Sequence, residues 1–479
     1  MRAVRGRVLT GQACDAYAAD AGPYRIRPRE VVIPKDEADV VAAVRYAARH
    51  RLSITARSAG TGLCGAAVGR GLVIDFSSLN RVLRRRGSHV RVEPGIVYDD
   101  LNRSLKTHGL LFWPSSCAQC SVGGNVSTKA SGIRGVKYGS IDRPLRGVRF
   151  VDARGRVVDT AAGLPEDLAT AVLRVRKRLL QDRKALAVLR ARRGLKTSLG
   201  YNLYALTDYD RPEEMVTHLF AGSVGTLGLL TAIDLELDRV PARRATCLAS
   251  FASAEAACAA VPRLLPLRPS AIEILDSSAF ARMRERLPQG TQAVLLIELD
   301  QDLQRTAARL RTVLQSVALG SRFGTGNTLW EIRTSMLREV GKTGLVVPFV
   351  EDLSVPVDRL APFLRDLKQV FARRRVRAVI YGHAAEGNLH IRPLLGRARW
   401  MQRAAALTEE CFALTFRYGG SISAEHGAGR SKSPYLEREW GPASTYFAEV
   451  KRIFDPAGRL NPDVLFTKRP ITRDVVLAR

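Results

Sequence analysis

The sequence predicts an α+β fold in two parts. Three observations carry this. Over residues 26–240, amphipathic helical segments alternate with short apolar runs and glycine-rich loops, as in an α/β region. From about residue 241 the texture changes to strand–helix pairs, which reads as an antiparallel sheet with helices on one face. The length, 479 residues, also favours two or three domains. The organisation reads as an N-terminal segment (1–25), a first domain (26–240) with a helical insertion at about 163–198, a second domain (241–440) and a C-terminal segment (441–479).

The elements follow in order. Residues 37–51 form an amphipathic helix, since Val40, Val41, Val44 and Ala48 recur at helical spacing and Asp36 stands ready as N-cap. A short strand begins at Leu52, a glycine-dense loop follows (RSAGTGLCGAAVGRG), and LVIDF is a second strand. VRVEPGIVYDDLNRSLKTHG adds a strand and a helix. Residues 163–198 are polar, Arg-rich and partly helical. In LTAIDLELDRV, Ile233, Leu235 and Leu237 share one face of a strand. The second domain opens with strand ATCLASFA, helix AEAACAAVPRLL, strand AVLLIELD and helix DLQRTAARLRTVLQSV.

Composition excludes several classes. The chain is 46% hydrophobic and 25% charged, which is globular rather than disordered. No apolar run reaches membrane-spanning length, and the N-terminus lacks the apolar core of a secretory signal, so a cytoplasmic location is expected. Lys plus Arg exceed Asp plus Glu by 75 − 46, a net charge of +29. Such a balance fits acidic substrates and peripheral contact with an anionic membrane at its inner face. It does not indicate a nucleic-acid partner, because the basic clusters are short and lack interleaved aromatics. Seven scattered cysteines form no iron–sulfur array; Cys117/Cys120 is the one close pair, and reduced thiols are the plain reading.

Chemistry concentrates in a few motifs. Gly60, Gly62 and Gly65 spell GxGxxG, but a helix precedes the loop and a strand follows it, the reverse of a dinucleotide-binding turn. Successive backbone N–H groups there could still cradle a pyrophosphate; a plain turn is the competing reading. SVGGNVSTKASG (121–132) and GSVGTLGL (222–229) are two more small-residue loops, which let backbone approach a large flat ligand. YGHAAEGNLHIRP reads as strand, turn and returning strand, placing His383 and His390 side by side. GGSISAEHGAGR adds Glu425 and His426. Two imidazoles and a carboxylate make a three-ligand site for a divalent metal, and a further histidine suits a general base. Core histidines and an ordinary ion pair are the alternative.

Together these motifs resemble the vanillyl-alcohol oxidase (PCMH-type FAD) superfamily, in the branch of D-lactate, glycolate and D-2-hydroxyglutarate dehydrogenases. The resemblance rests on AGTGLCGAAVGRGLVIDFSSLN, VEPGIVYDDLN, CSVGGNVSTKASGIRGVKYG, GSVGTLGL, YGHAAEGNLH, AEHGAG and NPDVLF, and spans about residues 20–466. It implies a two-part PCMH-type FAD-binding domain with an antiparallel α+β substrate domain of FAD-linked oxidase C-terminal type, and a C-terminal segment that returns to the FAD domain. It implies FAD contacts at Ser58, Ala59, Gly60, Thr61 and Gly62, at Cys120, Ser121, Gly123, Gly124 and Asn125, at Ser131, Gly132 and Tyr138, at Gly222, Ser223, Gly225, Thr226 and Leu227, and at Asn461. Thr61 stands where relatives with covalent flavin have histidine, so the FAD is expected to be non-covalent. The metal, zinc or manganese, maps onto His383, His390 and Glu425, the base onto His426, and the carboxylate-gripping arginine onto Arg333.

The activity so implied is oxidation of a small, D-lactate-like D-2-hydroxy acid to the 2-oxo acid. Hydride would go to flavin N5, and electrons onward to a quinone, a cytochrome, an electron-transfer flavoprotein or a separate iron–sulfur protein. A flavin-binding, non-catalytic subunit of a larger redox complex is the alternative. Some residues depart from the family pattern. Val224 replaces the glutamate of GSEGTLG, and Glu386 replaces a common aspartate. Val350 stands where the 2-hydroxyglutarate branch has a lysine, which leaves a distal carboxylate without that partner.

Overall fold

The computed structural model describes residues 1–479 apart from 2, 116, 280–286, 326–328, 331–332, 334–344, 347–348 and 477–479. In the first part, Glu30–Ile33, Leu72–Asp75 and Ile54–Arg57 lie side by side as parallel strands, with Arg7–Leu9 antiparallel on the outer edge. Helix Glu37–Arg49 crosses between the first two of these in sequence; the Asp36 carboxylate accepts from the Asp39 N–H at 3.2 Å and caps it. Its Val40, Ala43, Val44 and Ala47 are fully buried against Val32, Ile54 and Leu72. No helix follows Ile54–Arg57: residues 58–71 return directly to Leu72, whereas a dinucleotide-binding turn would need a helix there.

A second, antiparallel sheet runs in the order Val82–Arg86, His89–Val92, Leu229–Glu236, Leu145–Val151, Val157–Asp159. Ile233 and Leu235 are completely buried on its inner face, as the alternation predicts. The Arg-rich stretch is two helices, Glu166–Gln181 and Arg183–Arg192. The C-terminal segment returns here: the Asn461 N–H donates to the Ile54 carbonyl at 2.7 Å, adding backbone to the free edge of Ile54–Arg57.

The second part is one antiparallel sheet ordered Gly320–Thr325, Ala245–Phe251, Ala293–Leu299, Ala271–Asp276, Arg377–His383, Asn388–Leu395, Leu345–Val346, with Leu353–Ser354 also paired to Asn388–Leu395. Ala271–Asp276 is absent from the sequence reading above; its six residues are buried, two of them acids, Glu273 and Asp276. Successive side chains alternate between faces. Ile272, Ile274, Leu295, Ile297, Ile380, Leu389 and Ile391 belong to the core shared with helices Ala254–Leu264 and Leu360–Arg373. Glu273, Glu298, Tyr381, His383, His390 and Arg392 stand at the intervening positions, which place them on the opposite face toward the first part. Arg134 spans the junction, donating to both Glu298 oxygens at 2.7 and 2.8 Å. Among the described residues, no helix is long and apolar enough to cross a membrane.

Helix Pro212–Leu219 carries a buried histidine. His218 stacks on Tyr209 at 4.2 Å, and burial lowers its pKa to about 4, against an ordinary 6.5. Because the folded value is depressed, its contribution is complete above pH 6.5 and fades as pH falls toward 4. A loss of up to about 3 kcal/mol over that window is expected. Denaturant titrations across pH 4–7 test this: His218→Gln should flatten the acid limb, and an unchanged slope would refute it.

Candidate active site

One cavity of about 740 Å³ runs between the two parts. Ser58–Gly62 form one wall, continuing from the C-terminal end of strand Ile54–Arg57. Gly60 adopts φ +66°, and a Cβ there would lie 2.5 Å from Arg57 Nη2. The next wall comes from Cys120, Ser121, Gly123, Gly124 and Asn125. Ser121 Oγ accepts the Gly124 N–H at 3.2 Å, and a Cβ on Gly123 would strike Pro94 at 2.6 Å. Gly132, Val224 and Gly225 also line it. Val224 holds φ +44°, unusual for a β-branched residue, pinned because its N–H donates to the Ser127 carbonyl and its carbonyl accepts from Asn461 Nδ2 at 2.7 Å.

Several residues expected at the cofactor stand behind this wall. Asn461 clamps two loops through Ala66 and Val224. Thr226 Oγ1 bonds the Tyr201 hydroxyl at 2.7 Å, while Gly222 and Leu227 are buried in the core around Ser223. Tyr138 stacks on the wall residue Trp113 at 4.4 Å and donates to Asp300. Ser131 lines a neighbouring cavity of about 570 Å³ with Lys196 and Glu386. The Cys117/Cys120 pair, read above as reduced thiols, is a disulfide on the main cavity wall. The turn that brings the Cys120 N–H to the Cys117 carbonyl also brings the two sulfurs together. The other five cysteines are free and buried; burial pushes the Cys64 and Cys247 thiols up to about 12.

The opposite wall holds Arg333, His383, His390, Glu425 and His426. The hairpin Arg377–His383/Asn388–Leu395 sets Tyr381 opposite His390 and brings the Nε2 atoms of His383 and His390 to 3.2 Å. Glu425 Oε1 lies 2.9 Å from His383 Nε2 and 3.5 Å from His390 Nε2. Its Oε2 accepts the Gly132 N–H at 2.6 Å and meets Lys196 Nζ at 2.9 Å. Burial favours a neutral Glu425, but Lys196 and His383 outweigh it and hold the carboxyl well below its usual range. His390 is pulled downward by burial, so it stays neutral.

Four residues that the sequence reading did not single out stand behind this wall. Glu273 binds His383 Nδ1 at 2.5 Å with one oxygen and Arg333 Nε at 2.7 Å with the other. Glu351 binds His426 Nδ1 at 2.7 Å. Asp352 accepts the backbone N–H groups of Glu425 and His426 at 2.9 and 2.8 Å. Lys196 joins Glu425 to Glu386. Burial opposes charge on His383 and His426, yet Glu273 with Glu425, and Glu351 with Asp352, raise each to about 9. The signal for Glu273 and Glu351 was an acid inside an otherwise apolar strand or segment, AIEILD and FVEDL, since a buried charge needs a partner.

Glu273→Gln tests that account. It keeps the volume but leaves His383 and Arg333 short of their shared anion, so a loss of about 3 kcal/mol is expected. Thermal and urea unfolding of the variant read it; wild-type stability would show that Glu273 does not hold the pair.

Known proteins agree with this architecture. Residues 28–161 match the FAD binding domain, and residues 240–465 match the FAD linked oxidases, C-terminal domain. An uncharacterised FAD-linked oxidoreductase of Mycobacterium tuberculosis is 30% identical over 96% of both chains. The glycolate oxidase subunit GlcD of Bacillus subtilis is 27% identical, covering 94% of this chain and 92% of that protein. The D-2-hydroxyglutarate dehydrogenase of Escherichia coli is 27% identical over 95% of this chain, which spans only half that protein's length. A D-lactate dehydrogenase of Anaerostipes hadrus is 27% identical over 91% of this chain and 89% of its own. In fold, the chain is similar to 4-ethylphenol oxidase from Gulosibacter chungangensis, with TM-score 0.72 and 17% identity over 96% and 94% of the two chains. A glycine-lined cavity, the two matched domains and relatives of this kind lead to one conclusion: the chain belongs to the FAD-linked oxidases, with the FAD-binding and C-terminal domains of that family.

Proposed function

We propose that this FAD-linked oxidoreductase oxidises a small D-2-hydroxy acid to the 2-oxo acid. The observation that carries the reading is the placing of His426, with Nδ1 on Glu351, beside His383, His390 and Glu425 on the same cavity as the glycine loops. Relatives named glycolate oxidase, D-lactate dehydrogenase and D-2-hydroxyglutarate dehydrogenase support the substrate class.

The cavity fits FAD where the small residues of Ser58–Gly62 and Ser121, Gly123 and Gly124 expose backbone along one wall. Bound there, FAD supplies the two-electron acceptor. Glycines 60, 62, 123 and 124 would hold it closely, and Thr61 offers no imidazole for a covalent link. The residues also fit a divalent metal, since His383, His390 and Glu425 converge donor atoms within 4.8 Å of one another. Zinc or manganese held there supplies positive charge against the ionising 2-hydroxyl. Glu351, His390 and His426 form a second, overlapping set of possible ligands. Their use would remove the base, so the first set is the one assigned.

The chain's own residues do the rest. Arg333 lines the cavity with its Nε on Glu273, and its terminal NH2 groups would take the substrate carboxylate. In the neutral ring, a proton on His426 Nδ1 donated to Glu351 leaves Nε2 as the acceptor that removes the hydroxyl proton; because burial is outweighed by Glu351 and Asp352, which raise the pKa to about 9, that form gains weight as pH rises toward 9. Glu351 therefore orients the base as well as offsetting its charge.

Anaerobic addition of D-lactate, glycolate and D-2-hydroxyglutarate to the purified flavoprotein should bleach the flavin with at least one of them. His426→Ala should slow that bleaching roughly 10²- to 10⁴-fold while FAD stays bound. Full activity in the variant, or a flavin that no acid reduces, would defeat the reading.

A further inference from the structure

Among the described residues, the Cys117–Cys120 disulfide is the one redox-capable pair on the cavity wall, and the reaction above does not use it. It stands where two of the small-residue loops meet. Cys120 Sγ lies 3.4 Å from the Thr61 hydroxyl oxygen, and Cys120 leads directly into Ser121, Gly123 and Gly124. A cofactor held along both loops passes this sulfur. The pair also runs from inside to outside: Cys120 is 8% exposed, Cys117 is half-buried, and Ala118 and Gln119 between them are exposed.

A structural staple is a poor account of this bond. In the chain-entropy view a disulfide stabilises by closing a loop in the unfolded chain, and at a sequence separation of 3 that loop is very short. The segment is also pinned by its own hydrogen bonds. The Tyr98 and Asp99 N–H groups donate to the Cys120 and Ala118 carbonyls at 2.9 and 3.3 Å, and the Ser115 hydroxyl donates to the Cys117 carbonyl at 2.6 Å. The other five cysteines are buried, and burial raises each thiol above its ordinary value, so they stay protonated at neutral pH and do not compete for exchange. A partly exposed disulfide is the labile kind, open to exchange at its outer sulfur. Thiol exchange at this wall therefore runs through Cys117 and a partner from solution.

We propose that Cys117–Cys120 is a second two-electron site, reduced by the bound flavin and emptied by an external disulfide. In the first step the reduced flavin, FADH−, loses two electrons and one proton and becomes FAD. The S–S bond breaks, and with one further proton from solvent the two sulfurs become the Cys117 and Cys120 thiols. In the second step the Cys117 thiolate attacks an external disulfide RSSR, forming Cys117–S–S–R and releasing RS−. The Cys120 thiolate then attacks the Cys117 sulfur, which releases the second RS− and re-forms the wall disulfide. The two thiol protons end on two RSH. The acceptor class is a disulfide, small or carried by a protein, that reaches the exposed Ala118–Gln119 turn. This requires bound FAD but no particular hydroxy acid.

The experiment is anaerobic titration of the purified holoprotein with dithionite. The visible spectrum reads the flavin, and iodoacetamide labelling with peptide mass reads the thiols. Wild type should take up two two-electron equivalents per FAD, with Cys117 and Cys120 labelled only after reduction. Cys117→Ser should take up one. Protein stripped of FAD should gain label roughly 10-fold more slowly under the same dithionite, because the flavin is the route. Oxidised glutathione, a small disulfide, or insulin, a protein one, should restore the flavin colour of reduced wild type, and the faster of the two identifies the source. In Cys117→Ser that recovery should slow roughly 100-fold. A single equivalent in wild type, cysteines labelled before any reduction, or equal labelling without FAD would overturn the proposal. So would a flavin colour that neither disulfide restores, or one restored as fast in Cys117→Ser. Failure of D-2-hydroxy acids to bleach the flavin would strike only the substrate reading, since dithionite reduces the flavin without them.

Discussion

One buried carboxylate organises the centre of this protein. Glu425 is 2% exposed, and an ionised group so enclosed is tolerated only if every lone pair finds a donor. Its partners come from three distant segments: the Gly132 N–H from the first part, Lys196 from the end of the helical insertion, and His383 from the second sheet. Satisfying one charge therefore fixes how the two parts meet. The bidentate Arg134–Glu298 pair and the Lys137–Asp300 pair reinforce the same junction from the side. The cavity exists because these contacts ring it rather than fill it.

The second sheet supplies the chemistry through its period of two. One face is apolar and packed on helices, which makes it rigid. The other face carries Glu273, Tyr381, His383, His390 and Arg392 in register. Rigid strands hold side chains at set spacings, which a proton-transfer site requires. Carboxylates then fix the direction of each ring: Glu273 takes Nδ1 of His383, and Glu351 takes Nδ1 of His426. Both imidazoles consequently present Nε2 toward the cavity.

Much of this was legible beforehand. Glycine spacing, the strand–helix alternation and the two histidine motifs gave the two-part architecture and the residues of the wall. Less legible were the groups that act by contact across the chain. Lys196 lies 229 positions from Glu425 in sequence (425 − 196), and Glu273 lies 110 from His383. No periodicity links such residues. Strand Ala271–Asp276 went unread because Glu273 looks like a break in an apolar run, when it is the partner that the facing strand needs. The CxxC pair was misread for a similar reason, since spacing permits a bond but only the local turn closes it.

The sequence by itself determined the elements and the motif positions, because turn chemistry, capping and hydrophobic period are local properties. It also determined the histidine hairpin, because a tight turn leaves the returning strand little choice of partner. Only the tertiary structure decided which of the expected cofactor residues face the cavity and which acids match which cations. Those outcomes depend on the balance of charge in a region sheltered from water, and that balance is set by residues hundreds of positions apart.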